Sequence, residues 1–220
     1  SVGQIFFDPE VECFDWDADY TLRAMEEIEK LVDELEEKKE AYAENKEAGD
    51  KALSKGDLFF LAWTTTPWTL PSNLALCVGA DIDYVKVLDE DLNINIYLAK
   101  ALLESVGKGK NLVVLDEVKG SELVGKTYHP LFDYFKHLKS EGAFQILSDD
   151  YVSTESGTGV VHQAPAFGED DYRVLKAANI EAMVCPVDME GKFTEEVIDF
   201  AGLHVKEADK LIIKHLKEKG

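Results

Sequence analysis

Gly157-Thr-Gly-Val-Val-His-Gln-Ala-Pro-Ala-Phe-Gly-Glu-Asp-Asp171 reads as strand, break, helix. Gly157 and Gly159 flank Thr158 at the entry to a short apolar strand, Val160-Val161, which delivers His162 near its end. Pro165 and Gly168 then bend the chain, and Glu169-Asp170-Asp171 opens a helical pattern that continues through Leu175 and Ala178. Acidic side chains in a first helical turn favour the positive end of the helix dipole. A histidine leaving an apolar strand and a carboxylate at the next helix start can therefore share one concave site. The same letters also fit a glycine-rich turn followed by an N-cap cluster.

Working outward, Leu58-Phe-Phe-Leu-Ala-Trp63 is a continuous apolar run that predicts a buried strand. It ends in Thr64-Thr65-Thr66-Pro67-Trp68-Thr69-Leu70-Pro71-Ser72-Asn73, a loop stiffened by two prolines that cannot donate to a ladder. Successive strand side chains alternate, so Thr64 and Thr66 share one face and Thr65 takes the other. A threonine run also fits simple strand propensity. Further strands are predicted at 74–78, 83–88, 93–97, 111–118, 144–147 and 184–187, with helices over 98–106, 169–178 and 206–219. No βαβ alternation is visible, which predicts a mixed α/β fold: a barrel-like, largely antiparallel β core decorated with helices.

The N-terminal part differs. Residues 1–16 alternate loosely and suggest short strands. Residues 18–46 then carry Leu22, Met25, Ile28, Leu31, Val32 and Leu35 at helical spacing on an acidic background. That stripe suits either a surface helix packed on its own domain or a helix that binds a partner. The expected division is 1–56 for the strands and acidic helix, 57–205 for the core, and 206–220 for a closing helix.

With 220 residues, 45% of them hydrophobic, the chain is long enough to bury a core and too apolar for disorder. Residues 1–50 hold 17 acidic against 5 basic residues, and the rest 27 against 18, so no part offers a broad basic face for nonspecific nucleic-acid binding. Membrane-length apolar runs and a secretory leader pattern are both missing, so the sequence is expected to act in the cytoplasm, away from membranes. Cys13, Cys77 and Cys185 lie too far apart for a zinc pattern and are odd in number, which predicts free, buried thiols. Asp89-x-Asp91-x-Asn93 begins like a calcium loop, but Ile94 and Lys100 occupy the turn-glycine and bidentate-glutamate positions. Gly107-Lys-Gly-Lys110 lacks phosphate-loop spacing. His129 and His137 have no ligand partners at metal spacing and read as surface or half-buried. Neither a metal nor a cofactor is expected.

The two motifs acquire meaning together. Trp63-Thr-Thr-Thr-Pro-Trp-Thr-Leu-Pro-Ser-Asn73, followed some 85 residues later by the Gly157–Asp171 stretch, closely resembles the isoleucyl-tRNA synthetase family. The resemblance is to the editing domain, or connective polypeptide, inserted in the catalytic core of that family, and covers roughly residues 57–205. Valyl and leucyl relatives carry an Arg-Pro-Glu-Thr pattern where Pro67-Trp68-Thr69 stands here, which favours the isoleucyl branch. HIGH-like and KMSKS-like motifs are missing, so the sequence looks like an editing domain apart from its aminoacylation site. The acidic helix of 18–48 is not part of the resemblance.

The resemblance implies hydrolysis of valine wrongly esterified to the terminal adenosine of isoleucine tRNA, and help in clearing valyl-adenylate. By carry-over, Asp171 would bind the substrate α-ammonium and His162 would border the side-chain pocket. Thr65, Thr66 and Asn73 would hold the ester carbonyl and the attacking water, with Thr64 beside them. Trp68 would wall the pocket, and Gly157-Thr158-Gly159 would approach the adenosine closely. Direct attack by an ordered water is the implied mechanism, with His162 as general base the second choice. The expected partners are mischarged Val-tRNA(Ile) and the remainder of the synthetase chain, and the isolated domain is expected to be a monomer. An alternative of another class is a module that docks the tRNA acceptor end without hydrolysing it.

Overall fold

The structure, a computed structural model, describes residues 58–219. The strands expected in 1–16, the acidic helix of 18–48 and Cys13 lie outside these residues.

Among the described residues, seven strands form two sheets. The larger has the order β1-β4-β3-β5, from Leu58–Phe60 (β1), Asp83–Asp89 (β3), Ile94–Ala99 (β4) and Leu112–Lys119 (β5). The smaller has the order β6-β2-β7, from Ala75–Val78 (β2), Gln145–Ser148 (β6) and Val160–Gln163 (β7). Pairs β1–β4 and β2–β6 are parallel, and β2–β7, β3–β4 and β3–β5 are antiparallel. The fold is therefore mixed α/β with mixed sheets, and no closed barrel is found among the described residues. The described residues also form four α-helices: Leu103–Val106 (α1), Gly120–Leu123 (α2), Glu169–Ala177 (α3) and Val205–Lys219 (α4).

The smaller sheet is buried on both faces, and the strand alternation shows how. Leu76, Val78, Ile146 and Val160 pack towards Tyr84, Tyr97 and Ala99 of the larger sheet. Ala75, Cys77 and Leu147 pack the other way, into a cluster containing Val174 and Leu175 of α3 and Val205, Ala208 and Ile212 of α4. Apolar residues at 205, 208 and 212 recur every three to four positions, so α4 turns one stripe inward. That stripe packs the closing helix against the smaller sheet.

Other expectations are corrected. The 58–63 run is not a buried strand: β1 stops at Phe60, and Leu58, Phe59 and Trp63 are 47%, 47% and 62% exposed. Phe60 stacks on Tyr97, and the whole run borders a cavity. The strand at 93–97 extends to Ala99, and the predicted helix begins as a 3-10 turn at Lys100–Leu102 before α1. The 184–187 strand is reduced to one bridge, Val187 with Phe193. Its neighbour Pro186 has no N–H and serves only as an acceptor for Thr194. Cys77 is buried as expected, but Cys185 is exposed.

Candidate functional site

The register of the smaller sheet assembles the site. Leu76 of β2 pairs with His162 of β7, so the loop entering β2 meets the strand leaving through His162. Pro67–Ser72 forms a 3-10 helix in that loop, with Pro67 at its start, where the missing N–H costs nothing. Residues three apart eclipse in a 3-10 turn. Accordingly, Thr69 lies over Thr66 and donates its hydroxyl hydrogen to the Thr66 carbonyl at 2.9 Å.

The hydrogen bonds here have one consistent direction. Asn73 Nδ2 donates to the Ala75 carbonyl at 2.8 Å, which fixes the amide's orientation. The same nitrogen lies 2.8 Å from His162 Nδ1, so Nδ1 must accept. His162 Nε2 then carries the proton and donates to Thr69 Oγ1 at 3.0 Å. Burial pushes the His162 pKa down to about 4, which agrees with a neutral ring. Tyr128 closes the other end by donating to Asn73 Oδ1 at 2.5 Å. Thr64 Oγ1 accepts from the Thr66 N–H at 3.0 Å and lies 3.2 Å from Thr66 Oγ1. The pairing of Thr64 with Thr66 follows the expected face, although residues 61–66 have left the strand.

Asp171 arrives from the opposite direction. It lies in the first turn of α3, and its Oδ2 accepts the Ala164 N–H at 2.8 Å, tying the helix start to the end of β7. Burial raises its pKa, the Ala164 N–H opposes this, and Asp170 adds to the rise. No lysine or arginine pairs with it among the described residues. A desolvated carboxylate without a cation is an unbalanced charge, suited to an incoming ammonium group.

These side chains surround a cavity of about 220 Å³ whose polar lining includes Thr64, Thr65, Thr66, Thr69, His162 and Asp171. Trp63, Val161 and Phe167 supply apolar wall. Thr65 lines the same cavity but is exposed, and no hydrogen bond to its hydroxyl is formed among the described residues. A larger, mainly apolar cavity of about 720 Å³ adjoins the first and shares Trp63, Thr64 and His162 with it.

Three sequence-predicted residues or groups stand elsewhere. Asn73 does not line the smaller cavity: it is 8% exposed, and both ends of its amide are engaged by protein groups. Trp68 stands one layer back, its ring packed edge-on against Phe167 at 4.8 Å and its backbone N–H donating to the Asp209 carboxylate of α4 at 2.9 Å. Gly157-Thr158-Gly159 joins the two sheets: Thr158 accepts from Ala99 N at 2.8 Å, and Gly159 accepts from the Tyr84 hydroxyl. A Cβ on Gly159 would collide with that of Ala99, so the missing side chain serves sheet packing.

Sequence reasoning overlooked Thr69, Phe167 and Tyr128. The three-residue spacing from Thr66 across a Pro-started turn was the signal for Thr69. Tyr128 carried none, because it acts across 55 residues of sequence. Cys77 lies nearby, but burial first, then Asp149 and Asp171, push its thiol up to about 12, so it is no thiolate nucleophile. Among the described residues no cluster of three or more His, Cys, Asp or Glu could hold a metal ion. None of their helices is long and apolar enough to cross a membrane.

The arrangement of sheets and helices is that of the editing domains of aminoacyl-tRNA synthetases. The cytosolic leucyl-tRNA synthetase editing domain of P. knowlesi superposes with a TM-score of 0.58 over 84% of this chain and 90% of that one, at 14% identity. In sequence, the chain is a homologue of isoleucine–tRNA ligases over one segment of their length. It is 56% identical to the Bdellovibrio bacteriovorus isoleucine–tRNA ligase over 172 residues, and 53% identical to the cytoplasmic enzyme of Mus musculus over 165 residues. Those alignments take in 77% and 73% of this chain but only 16% and 13% of the relatives. No protein-family model matches the chain.

Proposed function

We propose that this segment is the editing domain of an isoleucyl-tRNA synthetase, which hydrolyses valine from mischarged Val-tRNA(Ile) and helps to clear valyl-adenylate. The observation that carries the reading is Asp171: a desolvated carboxylate, without a basic partner among the described residues, in the same cavity as the threonine hydroxyls. The substrate α-ammonium completes that charge with a short, charge-assisted hydrogen bond and sets the ester's orientation.

The ester carbonyl then lies near Thr65 and Thr66, whose hydroxyls polarise it and hold the attacking water. His162 has Nδ1 occupied by Asn73 and Nε2–H by Thr69, which favours a wall over a general base. In this reading Asn73 positions His162 instead of touching substrate. The terminal adenosine extends into the larger cavity, where Phe60 and Trp63 offer aromatic surface. Residues 57–205 carry the chemistry, and 206–220 lead towards the remainder of the synthetase.

Editing is needed because one methylene is worth only about 1–3 kcal/mol of discrimination, a limit for which isoleucyl-tRNA synthetase is itself the standard illustration. A second pocket must admit valine and exclude isoleucine.

Asp171→Asn tests the reading. Asparagine retains an acceptor for the Ala164 N–H but removes the charge, so hydrolysis of Val-tRNA(Ile) should fall by about 10- to 100-fold with the fold intact. Wild-type rates in that variant would refute the anchor. Tight binding of a valyl-adenosine analogue without any hydrolysis by the wild-type protein would favour the docking module.

A further inference from the structure

We propose that Tyr128 is a positioning residue that sets the tautomer and ring plane of His162 by way of Asn73. The inference deepens the editing reading and rests on it only for its catalytic consequence; the hydrogen-bond geometry stands by itself.

Asn73 has one acceptor oxygen and two amide hydrogens, and all three are used. The oxygen takes the Tyr128 hydroxyl, one hydrogen goes to the Ala75 carbonyl, and the other to His162 Nδ1. Turning the amide over would set Asn73 Oδ1 against the Ala75 carbonyl and Nδ2 against the Tyr128 hydroxyl. The Ala75 carbonyl would then face another acceptor, and the Tyr128 hydroxyl, although able to accept from Nδ2, would lose the acceptor of its own buried proton. With the amide fixed, His162 presents an acceptor at Nδ1 and a donor at Nε2, and Thr69 receives the latter. Tyr128 is itself anchored: its N–H donates to the Phe144 carbonyl at 3.0 Å, and its ring meets Phe144 edge-on at 6.1 Å. Burial raises the Tyr128 pKa, so the phenol remains a donor. The chain Tyr128–Asn73–His162–Thr69–Thr66 therefore runs in one direction from the wall of the larger cavity to the threonine loop.

Removing the hydroxyl alone leaves Asn73 Oδ1 an unpaired buried acceptor, which gives the amide reason to turn and His162 reason to move its proton to Nδ1. The test is 15N NMR of His162 and Asn73 in the 220-residue protein, wild type against Tyr128→Phe. The wild type should show a single Nε2–H tautomer and a 15N–15N coupling between Asn73 Nδ2 and His162 Nδ1. Tyr128→Phe should show a mixed tautomer and loss of that coupling, with kcat for Val-tRNA(Ile) hydrolysis down about tenfold and KM little changed. An unaltered tautomer and coupling in a folded Tyr128→Phe protein would overturn the proposal, as would a missing coupling in the wild type. If Tyr128→Phe does not fold, 3-fluorotyrosine at position 128 keeps the ring and sharpens the donor. The proposal then requires the Asn73 amide and His162 Nδ1 resonances to move together, and unmoved resonances would refute it. A wild type with the predicted spectrum but no hydrolysis would defeat the editing reading and leave the positioning intact.

Discussion

The side-chain amide of Asn73 donates to Nδ1 of His162 at 2.8 Å, across 89 residues of sequence. This contact decides how the histidine can act. With Nδ1 accepting and Nε2–H spent on Thr69, the ring has no free lone pair for a water. In the proposed reading its contribution is shape, as an edge shared by the two cavities.

A neutral His162 makes stability depend on pH. Its pKa is lowered from 6.5 in the unfolded chain to about 4 in the fold. Above the first value both states are neutral and stability is complete; as pH falls from 6.5 towards 4 only the unfolded chain takes the proton, and stability is lost. The loss amounts to at most about 3 kcal/mol. Urea denaturation of the wild type and His162→Gln across that window should show their stability difference shrinking towards acid, and a constant difference would contradict the assignment.

Asp171 predicts the acid limb of the activity. In the proposed reading only the ionised carboxylate would pair with a substrate ammonium, and burial holds its pKa above the ordinary 3.8. The kcat/KM profile for a valyl ester should therefore fall at a pH higher than an exposed aspartate would give. Asp171→Asn should remove that limb along with most of the rate, so a limb that survived would point to another group.

Thr69→Val keeps the shape of the side chain but leaves the Nε2–H of His162 without an acceptor. A buried, unpaired donor costs about 1–3 kcal/mol. Thr69→Ser should restore most of the stability, as read by thermal or urea unfolding. A Ser variant less stable than the Val variant would show that methyl packing, not the hydroxyl, matters there.

The two glycines flanking Thr158 should respond differently to substitution. Both have positive φ, +76° at Gly157 and +74° at Gly159. A Cβ at Gly157 would meet nothing within 4 Å, so Gly157→Ala should cost about 1–2 kcal/mol of backbone strain. Gly159→Ala adds a collision with Ala99 and should cost about 1–3 kcal/mol more. Similar midpoints in a denaturation series would contradict the packing of the two sheets at this point.

What the sequence showed and what it hid follow from the range of each interaction. The stretch from Gly157 to Asp171 is local, so the order of strand, bend and helix could be read directly, as could the threonines beside Pro67. The meeting of Asn73 with His162 depends on the register of β2 against β7, which a single sequence does not print. Tyr128 was invisible for the same reason. The Gly-Thr-Gly unit was legible as a close approach, and at Gly159 one such approach is to Ala99 of the neighbouring sheet, a pairing the sequence does not show. The apolar run at Leu58 misled because hydrophobicity is the same whether a side chain fills a core or lines a cavity.

The most direct test of the account is competitive: hydrolysis of Val-tRNA(Ile) and Ile-tRNA(Ile) by this protein at high concentration, followed by release of each amino acid. Release of valine with isoleucine retained is the predicted result, because the smaller cavity is proposed as a pocket that one extra methylene overfills. Equal release of both amino acids would contradict a size-selective editing site.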